Sequence, residues 1–243
     1  MDGMVLNTSS GKLISGITVH YGQASADITS PQSKGRIDTD SYGAGTTLTW
    51  YGAKGFYSDA QAQATWLDSR LYSSTLGRNL SDGNDAFGYA TSLEIGQRIA
   101  IGGDWVLTPQ GQLTYSDVNV DTFTDPFGAT VSLEDGESLR GRLGLAAENR
   151  AQWEAPNGSI SRLTSYGIAN LYQEFMADSS VNLSGVALNS TGEDVWGGIG
   201  AGASYDWNND QYSIYGEVTT NTGLANFGDS FNVAGTVGLR MLW

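Results

Sequence analysis

The chain of 243 residues has no cysteine, so neither a disulfide framework nor thiolate metal chemistry is open to it, and an oxidising periplasm would place no constraint on it. It also lacks any apolar run near the roughly 18 to 20 residues that a membrane helix needs, which excludes spanning a bilayer with helices. Basic residues are scarce, with 12 Lys and Arg against 26 Asp and Glu. The resulting net charge of −14 and pI near 4.2 oppose any role in binding nucleic acid, because phosphates would be repelled. Hydrated acidic loops are the expected reason for the excess of carboxylates, with a specific cation or partner site as the alternative. Residues 1–13 contain no basic stretch followed by an apolar one, so a leader already removed, or a longer parent chain, is the expectation.

What the chain does contain is glycine, at 33 residues, and aromatic rings, at 11% of the composition. A helical domain would not carry so much glycine. The last thirteen residues show the pattern most clearly. Phe231, Val233, Val237, Leu239, Met241 and Trp243 fall on one face of a strand, and Asn232, Thr236 and Arg240 on the other. A terminal strand of a soluble protein gains nothing from an exposed final Trp. Lipid on one side and water on the other explain the alternation, and this points to an all-β, antiparallel transmembrane β-barrel in a bacterial outer membrane.

About ten segments alternate in this way: 14–24, 41–51, 56–69, 87–101, 104–118, 137–153, 159–175, 194–206, 211–221 and 231–243. Short links with turn chemistry fall at Gly52–Gly55, Gly102–Gly103, Glu154–Gly158 and Trp207–Asp210. Long links at 25–40, 70–86, 119–136, 176–193 and 222–230 alternate with them, as periplasmic turns alternate with extracellular loops in a closed membrane barrel. Pro109 cannot donate to a ladder and is expected at a bulge or near the periplasmic start of its strand.

Charges keep to one phase of each segment. Leu139, Leu143 and Leu145 oppose Arg140, Arg142 and Glu148, and Tyr212, Ile214 and Val218 oppose Glu217. An Arg facing lipid at mid-membrane costs roughly 2 to 4 kcal/mol, so a bilayer enforces such segregation. Asp59, Glu94, Arg98, Arg140, Arg142, Glu148, Glu217 and Arg240 are therefore expected to face the lumen. They would line a hydrated channel or pair to stabilise the interior. Trp50, Tyr51, Trp66, Trp105, Tyr115, Trp153, Tyr205 and Trp207 lie near segment ends and read as two interfacial girdles.

The stretches Leu48–Gly52, Gly55–Tyr57, Gly88–Gly96, Leu107–Ser116, Ser138–Leu145 and Val233–Arg240, in this order and followed by a terminal aromatic, resemble the translocator domain of autotransporters, the bacterial type V secretion proteins. The likeness extends from about Ile14 to Trp243. It implies a barrel of twelve strands that serves export of a covalently linked N-terminal passenger and is threaded by a helix joining the two. The first recognisable strand here resembles the third of that family. Residues 1–13 are accordingly expected to hold the remnant of a preceding strand and a periplasmic turn, with the translocator over 14–243 and the helix and passenger outside this sequence. The resemblance further implies that Val237, Leu239, Met241 and Trp243 form a signal for the barrel-assembly machinery.

Some autotransporters cut their own passenger with lumenal acidic residues, for which Glu94, Glu148 and Glu217 are weak candidates here. His20 is the only histidine. With Thr18 and Gly22 on its own face and no nucleophile signature nearby, it is expected at the lumen or rim rather than in a Ser-His-Asp arrangement. No metal-ligand spacing appears, and Gly43-Ala-Gly45 lacks the strand-to-helix context of a phosphate loop. Nothing in the sequence supports an enzyme or a cofactor. A passive outer-membrane pore or diffusion channel shares every compositional feature, and a soluble β-sandwich binding module is the further rival.

Overall fold

A computed structural model of the chain describes residues 2–31, 33–176 and 178–242. In order, the strands are β1 (Asp2–Thr8), β2 (Gly11–Thr29), β3 (Lys34–Gly52), β4 (Phe56–Ser73), β5 (Arg78–Gln97), β6 (Ile99–Gly102), β7 (Trp105–Val120) and β8 (Phe123–Thr124). They continue as β9 (Thr130–Asp135), β10 (Glu137–Glu154), β11 (Ile160–Glu174), β12 (Asp178–Leu183), β13 (Val186–Thr191), β14 (Val195–Trp207), β15 (Tyr212–Gly223) and β16 (Phe231–Met241).

The main sheet has twelve strands, all pairs antiparallel, in the order β1-β2-β3-β4-β5-β7-β10-β11-β14-β15-β16 with β6 also on β7. Its path is open. Among the described residues β1 pairs with β2 and β16 with β15, and no ladder joins β1 to β16, so a curled sheet with two edges stands where a closed ring was expected.

All ten expected segments are strands, but one of them is cut in two. Gly96 pairs with Gln110 and Ile99 with Leu107, which leaves Gln97 and Arg98 without ladder partners on β7, opposite Pro109 and Thr108, while Gln97 keeps its pair with Phe56 of β4. Pro109 has no N–H to give, so the ladder fails there and β5 ends before β6 begins. The Arg98 N–H donates instead to the Gly55 carbonyl at 2.8 Å.

The four short links are turns. Lys54, Asn208, Asn209 and Asp210 adopt positive φ, a conformation that Asn and Asp tolerate through their short polar side chains. The long links differ from expectation. Residues 25–40 and 70–86 are not loops but strand for most of their length, over 25–29, 34–40, 70–73 and 78–86. Above the bilayer both faces meet water, so the apolar alternation that marks a strand disappears while the backbone ladder goes on. Side chains hold these extensions across the β2–β3 pair. Gln23 donates to Asp40 at 2.7 Å, Ser25 donates to Asp38, and Arg36 donates to Ser25 at 3.2 Å. Links 119–136 and 176–193 carry β8, β9, β12 and β13, which form a separate four-stranded sheet.

A soluble fold would hide its apolar side chains, yet among the described residues no hydrophobic residue is buried. Leu143 is 68% exposed, Ile199 64%, and Val237 and Leu239 78% each. The apolar residues share the convex face of the sheet, because side chains alternate strictly along each strand.

The concave face, its polar network and the two rims

Adjacent residues 142 and 143 define the two faces. Leu143 points out, while the Arg142 side chain is only 14% exposed and faces the concave side. Its Nη2 pairs with Glu94 of β5, its Nε donates to Gln112 of β7 at 3.0 Å, and its Nη1 donates to Asn170 of β11 at 3.0 Å. Glu94 also accepts from the Tyr57 hydroxyl at 2.6 Å. One guanidinium thus ties strands from β5 to β11, with the rigid fork geometry that distinguishes Arg from Lys.

Further acids of this face are partnered as well. Glu148 accepts from Arg98 at 2.7 Å and lies 3.5 Å from Arg150. Tyr166 donates to Glu217, and Glu174 holds Arg140 at 3.0 Å. Asp59 accepts from Thr49 and from Gln61, the latter at 2.7 Å. Arg240 reaches back over β15 to Asp206 of β14 at 3.0 Å. Several of these contacts skip a strand: Arg142–Glu94 and Arg98–Glu148 pass over β7, Tyr166–Glu217 over β14 and Arg240–Asp206 over β15. Tyr51, Tyr57, Glu94, Arg142, Tyr166 and Glu217 together border a recess of about 410 Å³, which shows how strongly the sheet curls.

Tyr51 was expected in a girdle and is found on the concave side, its ring centroid 6.5 Å from that of Tyr57. The reason is the two-residue period of a strand: Trp50 and Tyr51 are consecutive, so they cannot both face outward.

Sequence reasoning missed a second device on this face. Tyr57, Tyr166 and Tyr215 each lie flat over the glycine directly opposite on the next strand, Gly96, Gly202 and Gly238. A Cβ at Gly202 would sit 2.6 Å from the Tyr166 ring, inside any van der Waals contact. Each ring covers bare backbone, and the hydroxyls of Tyr57 and Tyr166 reach Glu94 and Glu217. Only the register, which fixes who stands opposite whom, makes such pairs visible.

The convex face carries aromatic rings at two levels. Towards the long hairpins, Tyr42 stacks on Trp66 at 5.8 Å, Trp66 meets Phe87 at 5.4 Å, and Tyr89 meets Tyr115 at 6.1 Å. Towards the short turns, Trp153, Tyr205, Trp207 and Tyr212 form a continuous stack with spacings of 5.5 to 5.9 Å. Trp50 and Trp105 lie at that same end, beside the turns at Gly52–Gly55 and Gly102–Gly103. From Tyr42 to Trp50 the strand rises about 3.3 Å per residue, roughly 20 Å after a tilt near 40°, a height that suits the apolar band of an outer-membrane barrel. Beyond Tyr42 the convex face turns charged, with Asp40 beside Arg70 at 3.0 Å.

On β16, Val237, Leu239 and Met241 share the convex face and are exposed, whereas Trp243 lies outside the described residues. His20 faces the concave side, over Gly43, with Nε2 3.2 Å from Thr65 Oγ1. No group of three or more His, Asp or Glu that could hold a metal ion occurs among the described residues.

This geometry has close counterparts. A family model described as Autotransporter beta-domain matches residues 1–219. The chain is 49% identical over its full length to the Adhesin BmaC autotransporter of Brucella suis biovar 1, of which it spans 7%. It is 30% identical over 182 residues to the Pertactin autotransporter of Bordetella bronchiseptica, a match covering 73% of this chain and 19% of that protein. Among solved structures, the transport unit of the autotransporter AIDA-I from Escherichia coli matches with a TM-score of 0.83 at 19% identity, covering 100% of this chain and 80% of that one. The beta domain of the Bordetella autotransporter Brka matches with a TM-score of 0.67 at 20% identity, covering 98% and 86%. An apolar convex band, a polar concave face and this family match lead to one conclusion: the chain belongs to the autotransporter β-domain family, the outer-membrane β-barrel translocators of type V secretion.

Proposed function

We propose that this chain walls the route by which a covalently linked passenger reaches the cell surface, and that Asp59, Glu94, Arg98, Arg140, Arg142, Glu148, Glu217 and Arg240 line its lumen. The observation that carries this reading is the inversion of the faces. The apolar side chains stand exposed on the convex side, and each of these charges has a fixed partner on the concave side. A passing chain would meet a hydrated surface whose lining charges are already held by partners. The family match favours this role over a passive diffusion channel.

The role is one of passage rather than catalysis. The partners would be the lipid around the convex band, the passenger, and the barrel-assembly machinery reading Val237, Leu239, Met241 and Trp243 on the last strand. Protease accessibility of the passenger on intact cells expressing the full-length protein tests the reading. Surface exposure is expected for the unaltered protein and is expected to be lost when Leu239→Asp charges the convex face of β16. A passenger equally exposed without a folded barrel would overturn it.

A further inference from the structure

The paired acids and bases of the concave face already hold fixed partners, charged or neutral, but one part of that face does not. Thr47, Gln61, Ser92 and Thr114 form a single cross-strand row over β3, β4, β5 and β7, one pair step along from the row that holds Thr49, Asp59, Glu94 and Gln112. Neighbouring positions in such a row are about 4.8 Å apart. The side chains of Thr18, Thr47, Gln63, Ser92 and Thr114 make no hydrogen bond to any other described residue. They border a recess of about 330 Å³, together with His20, and no Asp, Glu, Lys or Arg contributes to its lining. A charged, internally satisfied belt therefore gives way, one step towards the long hairpins, to an uncharged surface of open hydroxyls and a carboxamide.

We infer that this recess is a transient binding site for an extended polypeptide segment in transit, recognised through its peptide groups. The inference rests on the export reading above. Hydroxyls donate and accept, and a carboxamide does both at fixed positions, so the set matches the alternating N–H and C=O of an extended backbone whatever its sequence. A helix satisfies its own backbone groups internally and presents no such pattern. The lack of fixed charge is equally telling, since a lined charge would retain segments of opposite sign and repel those of its own. A site open to many sequences must therefore be neutral. Each contact is weak in a hydrated lumen, which lets the chain move on.

Photocrosslinking in the full-length protein tests this. A photoreactive residue is placed at Gln63 or Thr114 in the neutral recess, or at Arg140 or Glu174 on the β10–β11 wall, and the passenger is stalled by a disulfide-closed loop built into it. Heat-modifiable migration first confirms that each variant has folded, with Thr47 and Ser92 as substitutes for a position that fails. Crosslinks to the stalled passenger are expected to be roughly fivefold more abundant at the neutral positions, the preference that about one net hydrogen bond supplies. They are expected to vanish once export is complete. Equal yields on both walls would overturn the inference while leaving export intact. So would crosslinks that persist after completion, which signify a resident segment such as a helix. A folded barrel that never holds the passenger at any position would overturn the export reading itself, and the inference with it.

Discussion

The convex and concave faces are built from the same strands, residue by residue in alternation, yet they obey opposite rules. Leu143 is 68% exposed and its neighbour Arg142 only 14%. In a soluble domain the greasy side chain would be inside and the guanidinium in water. Here the surrounding medium is hydrocarbon, so the burial pattern is turned inside out while the backbone pairing is unchanged. Burial in this fold has to be judged against the solvent of each face.

Exchanging side chains between the two faces should break this contrast most severely. Leu143→Arg places a charge in the lipid-facing band and is expected to cost about 2–4 kcal/mol and to block membrane assembly. Arg142→Leu strips Glu94 of its cation on the wet side, at roughly 1–3 kcal/mol, and is expected to assemble. Heat-modifiable migration of each variant in outer-membrane extracts checks the ranking, and the reverse order would refute the face assignment. Next in size comes the contact of ring on bare backbone. Gly202→Ala drives a methyl into Tyr166 and is expected to destabilise by about 1–3 kcal/mol, read as a lower unfolding midpoint in urea. Pairing it with Tyr166→Leu removes the clash and should restore part of the loss.

The smallest effect sharpens the contrast between strand within the membrane and strand above it. On the β2–β3 extension, a hydrogen bond from Ser25 and the neighbouring Arg36 hold the Asp38 carboxyl below its ordinary range, and bonds from Gln23 and Tyr21 do the same for Asp40. Both groups bind fewer protons folded than unfolded. Their contribution is therefore fully present above the ordinary aspartate pKa near 4 and is lost as pH falls through their lower folded values. Protection of the amides at residues 25–29 and 34–40, taken relative to the intrinsic exchange rate at each pH, should fall in acid, while residues 42–50 of β3 stay protected. Uniform protection along β3 would argue that its outer half is held by something other than these side chains.

How much of this could be read beforehand depended on what each strand faces. Within the bilayer, lipid imposes a period of two, and segments such as 137–153 and 194–206 lie within two residues of β10 and β14. Residues 25–29 and 34–40 pair just as regularly but face water on both sides, so composition alone made them look like loops. The sheet formed by β8, β9, β12 and β13 was hidden for the same reason. The polar network was legible as a phase and not as a set of pairs. That Arg142 meets Glu94, or that Tyr57 covers Gly96, follows from register, and register is a property of three strands taken together.

Pro109 gives the wall a seam. With no proton to offer, it leaves two residues of the neighbouring strand unlaced, and Arg98, set loose on one side, fastens through its backbone to the turn at Gly55 and through its side chain to Glu148. One absent hydrogen thereby leaves a single residue, Arg98, to link the turn at Gly55 with the edge of the charged belt at Glu148.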